Sequence, residues 1–227
     1  MYSLSLPTSN FKQRLFRSLS RRFQNLSFGI DTNRIRANVQ AIAGSFTSDI
    51  PTYTKQSELN MLYELARNCP PWANALEIGS HLGASACYIA AGLVHVRGRM
   101  FCVDTWNNET MPEGEQDTFA VFKRNTRQIS DLIIVVRKRS EELVESEINL
   151  PLSLVFIDGD HSYSAVKTDF EKVSPWVGVG GVIAFHDSTT IFPGVPQVIG
   201  EALATGTWSL SGYVESLCWL TRVETSN

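Results

Sequence analysis

The sequence contains few cysteines, and none of them form a close pair. Only four occur among 227 residues, and no Cys-x-x-Cys motif is present. A small disulfide scaffold is therefore excluded, because such scaffolds need several closely spaced cysteines in a short chain. The thiols are expected to be reduced and to pack as small hydrophobic groups. This pattern predicts an intracellular, cytoplasmic protein.

Long apolar runs and a strong excess of one charge are also missing. The longest candidate, residues 84–96, is interrupted by Tyr88 and His95 and falls short of the roughly 18–20 apolar residues that span a bilayer. With 43% hydrophobic residues, 19% charged residues and a net charge of −3, the chain is not a disordered polyelectrolyte. Its length suits one α/β domain with an appendage.

The small net charge hides an uneven distribution. Residues 1–50 carry seven basic and two acidic side chains, whereas residues 51–227 carry 13 and 21. We therefore predict a basic helical extension over 1–50 and a main domain over 51–227. Nucleic acid is not an expected partner, because basic residues interleaved with aromatic ones are absent from the acidic remainder.

A stripe of five apolar residues marks the basic extension as an amphipathic helix over residues 10–28. The helix has three possible roles: packing on the domain or on a second subunit of a homo-oligomer, lying on a membrane surface, or acting as an organellar transit peptide. The sequence does not separate these roles. The stripe consists of Phe11, Leu15, Leu19, Phe23 and Leu26.

From residue 72 onward, short β-rich runs alternate with helical stretches, which is typical of a parallel sheet with crossover helices. The last two runs are joined by a turn so short that they must pair antiparallel. The sequence predicts a Rossmann-like, doubly wound α/β fold with five parallel strands plus a C-terminal antiparallel hairpin, in the order 3-2-1-4-5-7-6. Predicted strands are 75–78, 100–104, 132–136, 154–158, 182–186, 207–210 and 217–222, and predicted helices are 84–96, 115–129, 140–147, 162–176 and 193–204, with 34–69 also helical around a break at 49–54.

Two glycines follow the first predicted strand. Gly79 and Gly83 let the chain turn tightly and approach a ligand, and the free N–H groups of the next helix face the same place. The spacing is not the G-x-G-x-x-G of dinucleotide enzymes, and Glu77 would repel a pyrophosphate. A carboxylate here suits the amino group of S-adenosylmethionine (SAM), so SAM is favoured over NAD.

The second and third strand ends carry residues suited to an adenosine. Asp104 lies about twenty residues beyond the glycines, where an acid that binds ribose hydroxyls is expected, with a helix or loop cap as the alternative. Trp106 is predicted to cover the adenine, unless it only packs the loop. Ser140 and Glu141 are predicted to contact the adenine nitrogens, although Ser140 is also a candidate N-cap.

Four segments carry a family resemblance: LEIGSHLGAS, FCVDTW, LVFIDGDHSYSAVKTDFE and GGVIAFHDS. Together they resemble class I SAM-dependent methyltransferases. The closer similarity is to the small-molecule and sugar O-methyltransferases grouped with the cephalosporin hydroxylase family, and a distant one is to catechol O-methyltransferases. The resemblance covers residues 52–222 and implies that the glycine loop surrounds the methionine part of SAM, with Asp104 at the ribose. The methionine-contacting residues that the resemblance implies are Glu77, Gly79, Ser80, Gly83 and Ser85.

Acids and histidines follow the fourth and fifth strands, whose ends meet at one crevice. Two carboxylates from adjacent strands suit Mg²⁺, so Asp158, Asp187 and His186 are predicted to hold a divalent cation. In the related metal-dependent enzymes the position of His186 is usually an acid, and an imidazole ligand favours Mn²⁺, Fe²⁺ or Zn²⁺ instead. The alternative is that these acids only cap helices.

His161 follows Asp158 by three residues, and this spacing resembles that of sugar methyltransferases. The resemblance implies that His161 is the catalytic base, with Asp158 beside it. A base is needed because an alkyl hydroxyl does not ionise near neutral pH, whereas an imidazole with a pKa near roughly 6.5 can accept its proton. The alternative is a histidine that only hydrogen-bonds the following helix.

The sequence therefore predicts an O-methyltransferase that uses SAM and a divalent cation to methylate a hydroxyl of a small molecule or sugar. Residues 107–118 are predicted to form a lid over the substrate pocket, with a solvated loop as the alternative. Other candidates are a nicotinamide oxidoreductase, an iron-dependent hydroxylase using His161, His186 and Asp158, and a non-catalytic protein that binds SAM or docks on a membrane.

Overall fold

The computed structural model describes residues 30–109 and 114–224. The predicted amphipathic stripe of the N-terminal extension and residues 110–113 of the predicted lid lie outside these ranges. Within them, every helix is too short or too polar to cross a bilayer.

A seven-stranded sheet forms the centre of the domain. Its order is β3-β2-β1-β4-β5-β7-β6, so the predicted order is confirmed. The first five strands are parallel, and β7 pairs antiparallel with both β5 and β6. The strands are β1 (Asn74–Ile78), β2 (Arg99–Asp104), β3 (Ile133–Arg137), β4 (Leu152–Ile157), β5 (Val177–Phe185), β6 (Trp208–Val214) and β7 (Leu217–Arg222).

Helices cover both faces of the sheet, so its central strands are apolar on both sides. Because side chains alternate along a strand, Ala75 and Phe156 join the core under α1, α2, α3 and α4, whereas Leu76 and Ile157 join the core under α5 and α6. The helices of the described residues are α1 (Thr32–Ala43), α2 (Gln56–Arg67), α3 (Ala84–Val94), α4 (Phe119–Asn125), α5 (Tyr163–Val173) and α6 (Gly194–Ala204).

Two predicted helices differ from the structure. The helix expected over 115–129 is limited to α4 and a short 3₁₀ turn at Arg127–Ile129. The helix expected over 140–147 is wrong, since this segment forms two separate 3₁₀ turns, Ser140–Glu142 and Glu145–Glu147. Each turn is closed by its own last glutamate, whose carboxylate accepts a backbone N–H three residues earlier. Such local bonds compete with the helical pattern.

The described part of the predicted extension packs into the domain. Ile35, Val39 and Ala43 of α1 recur every four residues, and all three are fully buried in the core. Arg34 also pairs with Glu64 of α2, with 3.3 Å between Nη2 and Oε1. Residue 50 is therefore not the edge of the packed unit, because these side chains belong to the same core as α3.

Candidate active site

Two adjoining cavities open at the carboxyl ends of β1, β2, β4 and β5. This is the place where doubly wound sheets bind ligands, because the strand order reverses between β1 and β4. The first cavity, of about 900 Å³, contains His161, and the second, of about 560 Å³, contains Asp104. Gly79, Asp158 and Gly159 line both. One ligand can therefore extend from one cavity into the other.

The loop after β1 depends on both glycines. Gly79 has a φ of +89°, and a Cβ atom there would lie 2.1 Å from the backbone oxygen of Asp158. Gly83 caps the start of α3 with a φ of +90°, where a Cβ would lie 2.6 Å from a methyl carbon of Thr126. Both positions combine a left-handed backbone with close neighbours, so only glycine fits without strain. Ser80 and Ser85 lie in this segment and line the first cavity.

Asp104 ties the glycine loop to the end of β2. Its Oδ2 accepts the backbone N–H of His81 at 2.8 Å, and its Oδ1 accepts that of Trp106 at 2.6 Å. The carboxylate also lines the second cavity. Each oxygen has further acceptor capacity, so Asp104 can still receive hydroxyl donors while it holds the loop.

Trp106 belongs to the core and not to the ligand surface. Its side chain is fully buried, with ring centroids 5.0 Å from Phe119 and 4.7 Å from Phe122. The indole Nε1 donates to the backbone oxygen of His81 at 2.9 Å. Trp106 lines neither cavity, so the prediction that it covers the adenine is wrong. Its large apolar ring is buried between α4 and the loop, where it supports the glycine loop from behind.

Glu77 lies behind Ser80 and Ser85, which line the first cavity. The side chain is fully buried, and neither carboxylate oxygen has a hydrogen-bond partner among the described residues. Burial raises its pKa to about 7, and the neighbouring hydroxyls of Ser80 and Ser85 offset this only in part. A buried carboxylate without partners is costly, and at a ligand site it indicates a missing cationic or donor group.

Ser140 and Glu141 line the second cavity, as the adenine prediction requires, together with a residue that the sequence analysis missed. Asp169 of α5 accepts a hydrogen bond from the hydroxyl of Ser140. Burial raises the pKa of Asp169 to about 6, although the Ser140 bond acts in the opposite direction. The available sequence signal was an acid on the apolar face of α5, between the buried Val166 and Val173.

The first cavity brings together the predicted catalytic cluster. His161 Nε2 lies 3.5 Å from Asp158 Oδ1 and 3.5 Å from Asp187 Oδ2. The Nε2 atom is buried and makes no hydrogen bond of normal geometry. Its ring packs against Phe192, with 4.7 Å between the centroids. A ligand hydroxyl can therefore hydrogen-bond to this nitrogen, and the two carboxylates beside it would compensate a positive charge on the ring.

His186 is held from both sides by carboxylates. Its Nδ1 lies 3.0 Å from Asp158 Oδ1, and its Nε2 lies 3.2 Å from Glu58 Oε2. Two carboxylates facing both ring nitrogens favour the doubly protonated imidazolium, because a neutral imidazole donates from one nitrogen only. Burial alone would lower the pKa of His186, but the hydrogen bonds with Asp158, Asp187 and Glu58 raise it well above the usual value.

Glu58 is a second residue that the sequence analysis missed. This fully buried side chain of α2 accepts four hydrogen bonds: from His186, from the backbone N–H of Lys55 at 2.7 Å, and from the N–H and hydroxyl of Ser216 at 2.8 and 2.6 Å. Burial would raise its pKa, but these bonds lower it to about 2. The only sequence signal is an acid at the start of the apolar stretch of α2.

The residues present fit a divalent cation in part. Donor atoms of Asp158, His161 and His186 lie within 4.8 Å of one another, and Asp187 is adjacent. The two carboxylates and the unpartnered Nε2 of His161 offer oxygen and nitrogen ligands. His186 fits poorly as a ligand, because both of its ring nitrogens already face carboxylates.

Replacing Glu58 by alanine is expected to destabilise the protein by about 3–5 kcal/mol, because it leaves the buried His186 and two backbone donors without their acceptor. Thermal unfolding measures this effect. The control, Glu215→Gln, removes an exposed pair with Lys55 and should change little.

The pH dependence of unfolding provides a second measurement on Glu58. A carboxyl whose pKa is lowered by folding contributes stability above its unfolded pKa, near 4.5, and loses it as the pH falls toward about 2. Glu58→Gln should flatten the wild-type acid slope in this range. An unchanged slope would show that Glu58 carries no such coupling.

The described residues of the predicted lid border the second cavity and not the cavity of His161. Asn108, Glu109 and Thr118 line the second cavity, and the Asn108 side chain donates to the backbone oxygen of Gly114 at 2.8 Å. The mouth of the first cavity is formed instead by the segments 51–54 and 191–193.

Comparison with known proteins agrees with this geometry. A family described as "Methyltransferase domain" matches residues 76–188, from β1 to the residue after Asp187. An uncharacterized protein of Sinorhizobium fredii, y4gI, is 30% identical over 119 residues, which cover 50% of this chain and 13% of that protein. The chain therefore matches only a small part of the length of this relative.

Solved structures show the same fold. The O-methyltransferase NovP aligns with a TM-score of 0.63 and 13% identity over 86% of this chain and 100% of its own. CalS11, a TDP-rhamnose 3′-O-methyltransferase of calicheamicin biosynthesis, aligns with a TM-score of 0.57 and 16% identity over 90% and 93%. A Bacillus cereus O-methyltransferase in complex with SAH aligns with a TM-score of 0.59 and 17% identity over 84% and 91%.

The family match and the sheet order together identify the class. The described chain is a class I, SAM-dependent methyltransferase domain. It belongs among the proteins that carry the methyltransferase domain matched over residues 76–188.

Proposed function

We propose that the domain transfers the methyl group of SAM to a hydroxyl of a small molecule or sugar. The observation that carries this proposal is the unpartnered Nε2 of His161, buried in the first cavity between the carboxylates of Asp158 and Asp187 and beside the glycine loop. N- or C-methylation of an acceptor that is already nucleophilic would not need a base in this position. A hydroxyl does need one.

The two cavities divide the cofactor and the acceptor between them. We assign the ribose hydroxyls to Asp104 and the adenine amine to Ser140 with Asp169, because all three residues line the second cavity. The glycine loop then faces the amino-acid head, with the carboxyl group of Glu77 buried behind it. This leaves the part of the first cavity around His161 for the acceptor. When bound, SAM supplies an electrophilic methyl group on a positively charged sulfur.

The protein's own contribution is positioning and proton removal. His161 Nε2 accepts the hydroxyl proton as the new oxygen–carbon bond forms. The resulting imidazolium lies 3.5 Å from two carboxylates, so its charge is compensated without movement. The Glu58–His186 pair holds Asp158 in place from behind. A divalent cation on Asp158 and Asp187 would increase the acidity of the hydroxyl.

Calorimetry with SAM tests the cofactor assignment. Asp104→Asn should weaken SAM binding by at least about tenfold, because a charged acceptor of hydroxyl donors is removed. The control, Asp131→Asn, changes an exposed acid just before β3, at the opposite end of the sheet. Equal SAM affinity in both variants would refute the ribose assignment, and absence of binding to the wild type at millimolar SAM would refute the function.

The metal assignment has a separate test. If a divalent cation assists, EDTA should lower the methylation rate, and Mg²⁺ or Mn²⁺ should restore it. A rate that EDTA does not change would show that the residues work without a metal.

A further inference from the structure

Resting on the proposed function, we propose that the acceptor is an uncharged hydroxyl compound with an apolar group next to the methylated part, such as a sugar joined to an apolar aglycone. Phosphorylated and nucleotide-activated acceptors are rejected. The inference comes from the contrast between two parts of the first cavity. Its floor carries the carboxylates of Asp158, Asp160 and Asp187, and its mouth carries the apolar side chains of Tyr53 and Ile191.

Without a bound divalent cation, the charges of the described residues in the first cavity oppose an anionic acceptor. Among the described residues that line it, none is a lysine or an arginine, whereas Asp158, Asp160 and Asp187 all contribute carboxylates. His186 offsets one of these charges and is itself bonded to Asp158. A phosphate group binds proteins through cationic side chains or clustered N–H donors, and here it would meet an excess of negative charge.

The cationic side chains near the cleft lie at the other cavity. Lys138 and Arg139 line the second cavity, where they pair with Glu147 and Glu109. The described residues therefore provide no lysine or arginine with which the first cavity can hold a phosphate.

The mouth of the first cavity carries apolar side chains that remain in contact with water. Ile191 is 79% exposed and Tyr53 is 59% exposed, and both line the cavity. They come from separate segments, one before α6 and the other before α2, and Phe192 extends the apolar wall inward to His161. A single exposed apolar residue needs no explanation, but two from separate segments at the mouth of one cavity, continued inward by Phe192, indicate a surface that an apolar group covers.

The shape of the cavity places the two parts of the acceptor. The reacting hydroxyl must reach His161 Nε2, and the apolar wall begins at Phe192, whose ring is 4.7 Å from the His161 ring. Polar groups around the hydroxyl then meet the acidic floor, while the remainder of the molecule points outward along Ile191 and Tyr53. A free monosaccharide would leave this outer wall uncovered.

Matched acceptors test the inference. The assay measures methyl transfer to methyl, octyl and 4-nitrophenyl glycosides, to the corresponding sugar phosphates, and to nucleotide sugars, with SAM binding measured in parallel. We expect the octyl or 4-nitrophenyl member of a methylated series to exceed its methyl glycoside at least about tenfold in kcat/KM, since burial of several methylene-sized groups is worth more than this factor. Phosphorylated members should fall at least tenfold below.

Three results would overturn the inference: preference for a phosphorylated member, equal kcat/KM for apolar and methyl glycosides, or methylation of no uncharged member while SAM still binds. The last result leaves the SAM assignment intact. Absence of SAM binding is instead the failure of the proposed function, so the two failures are distinguishable.

Variants at the mouth localise the effect. Ile191→Ser and Tyr53→Ser should raise KM for the apolar acceptor at least about fivefold, with kcat and SAM affinity unchanged, because they remove contacts made equally before and during reaction. Val179→Ser is the matched control, since Val179 is 67% exposed on β5 and lines neither cavity. Equal effects in all three variants would overturn the assignment of the apolar wall.

A gain of activity provides the complementary test. Gln197 lines the first cavity, and Gln197→Lys adds the cation that its described lining lacks. This variant should narrow the difference between phosphorylated and uncharged acceptors. An unchanged ratio would show that charge does not set the preference.

Discussion

Glu77→Gln is expected to weaken SAM binding by at least about tenfold at pH 8 and, in the absence of SAM, to make the protein more stable than the wild type. Both effects follow from one buried carboxylate. Glu77 has no hydrogen-bond partner among the described residues, and burial raises its pKa to about 7. A positively charged ligand beyond Ser80 and Ser85 compensates the ionised form, and glutamine removes that attraction.

The pH dependence of both effects has a defined sign. A carboxyl whose pKa rises from 4.5 to about 7 on folding contributes stability that is complete below about pH 4.5 and is lost as the pH rises through about 7. At pH 8 the wild type has therefore lost about 3 kcal/mol that a neutral glutamine does not lose. Because SAM favours the ionised carboxylate, wild-type affinity should fall from pH 7.5 to pH 5.5, while that of the variant stays level.

Calorimetry and thermal unfolding at several pH values measure these effects, with Glu171→Gln as the control. Glu171 is exposed on α5 and lines neither cavity. If Glu77→Gln binds SAM as tightly as the wild type at pH 8, the charge of Glu77 plays no part in cofactor binding. If the stability curves of the two proteins stay parallel from pH 5 to pH 8, the raised pKa is wrong.

His161→Ala is expected to reduce methyl transfer by about 10²–10⁴-fold while leaving SAM affinity unchanged. The reason is that its buried Nε2 is the proposed base in the first cavity, whereas the proposed cofactor contacts come from the glycine loop and the second cavity. The loss should be greatest near neutral pH and should shrink at high pH, where hydroxide in the solvent ionises more of the acceptor.

His95→Asn controls for a general effect of removing a histidine. His95 caps the end of α3 and bonds to the hydroxyl of Tyr63 at 2.9 Å, away from both cavities. Its replacement should leave the rate and its pH profile unchanged. A normal rate in His161→Ala would eliminate this histidine as the base, and a loss that disappears on addition of imidazole would support it directly.

The predicted sheet was accurate because its signals are local and strong. Apolar runs of about five residues, separated by helical stretches, indicate buried parallel strands, and the short link at Glu215 and Ser216 permits only antiparallel pairing of β6 with β7. The convergence of Asp158, His161 and Asp187 followed from the same topology, because adjacent parallel strands end at one edge.

The predictions that differ from the structure are those that depend on tertiary packing. Trp106 has the same local sequence whether it covers a ligand or fills the core, and only the positions of Phe119 and Phe122 decide between these roles. The segment 140–147 has helix-forming residues, yet Leu143 is its single buried side chain. A helix there would therefore gain little stability from packing. Glu58 reaches the site from α2, 128 positions before His186, a relation that no spacing in the sequence reports, whereas Asp169 was marked only by its place on the apolar face of α5.

The bond between Glu58 and His186 has a consequence for protein engineering. The two residues are separated by 128 positions, and Glu58 lies outside the matched stretch 76–188. A chimera could join residues 76–188 of this chain to the first helices of a relative. Unless that relative has an acid at the position of Glu58, His186 would then lack its carboxylate partner. Helix α2 and the residue at position 186 therefore have to come from the same parent protein if such a hybrid is to keep its active centre.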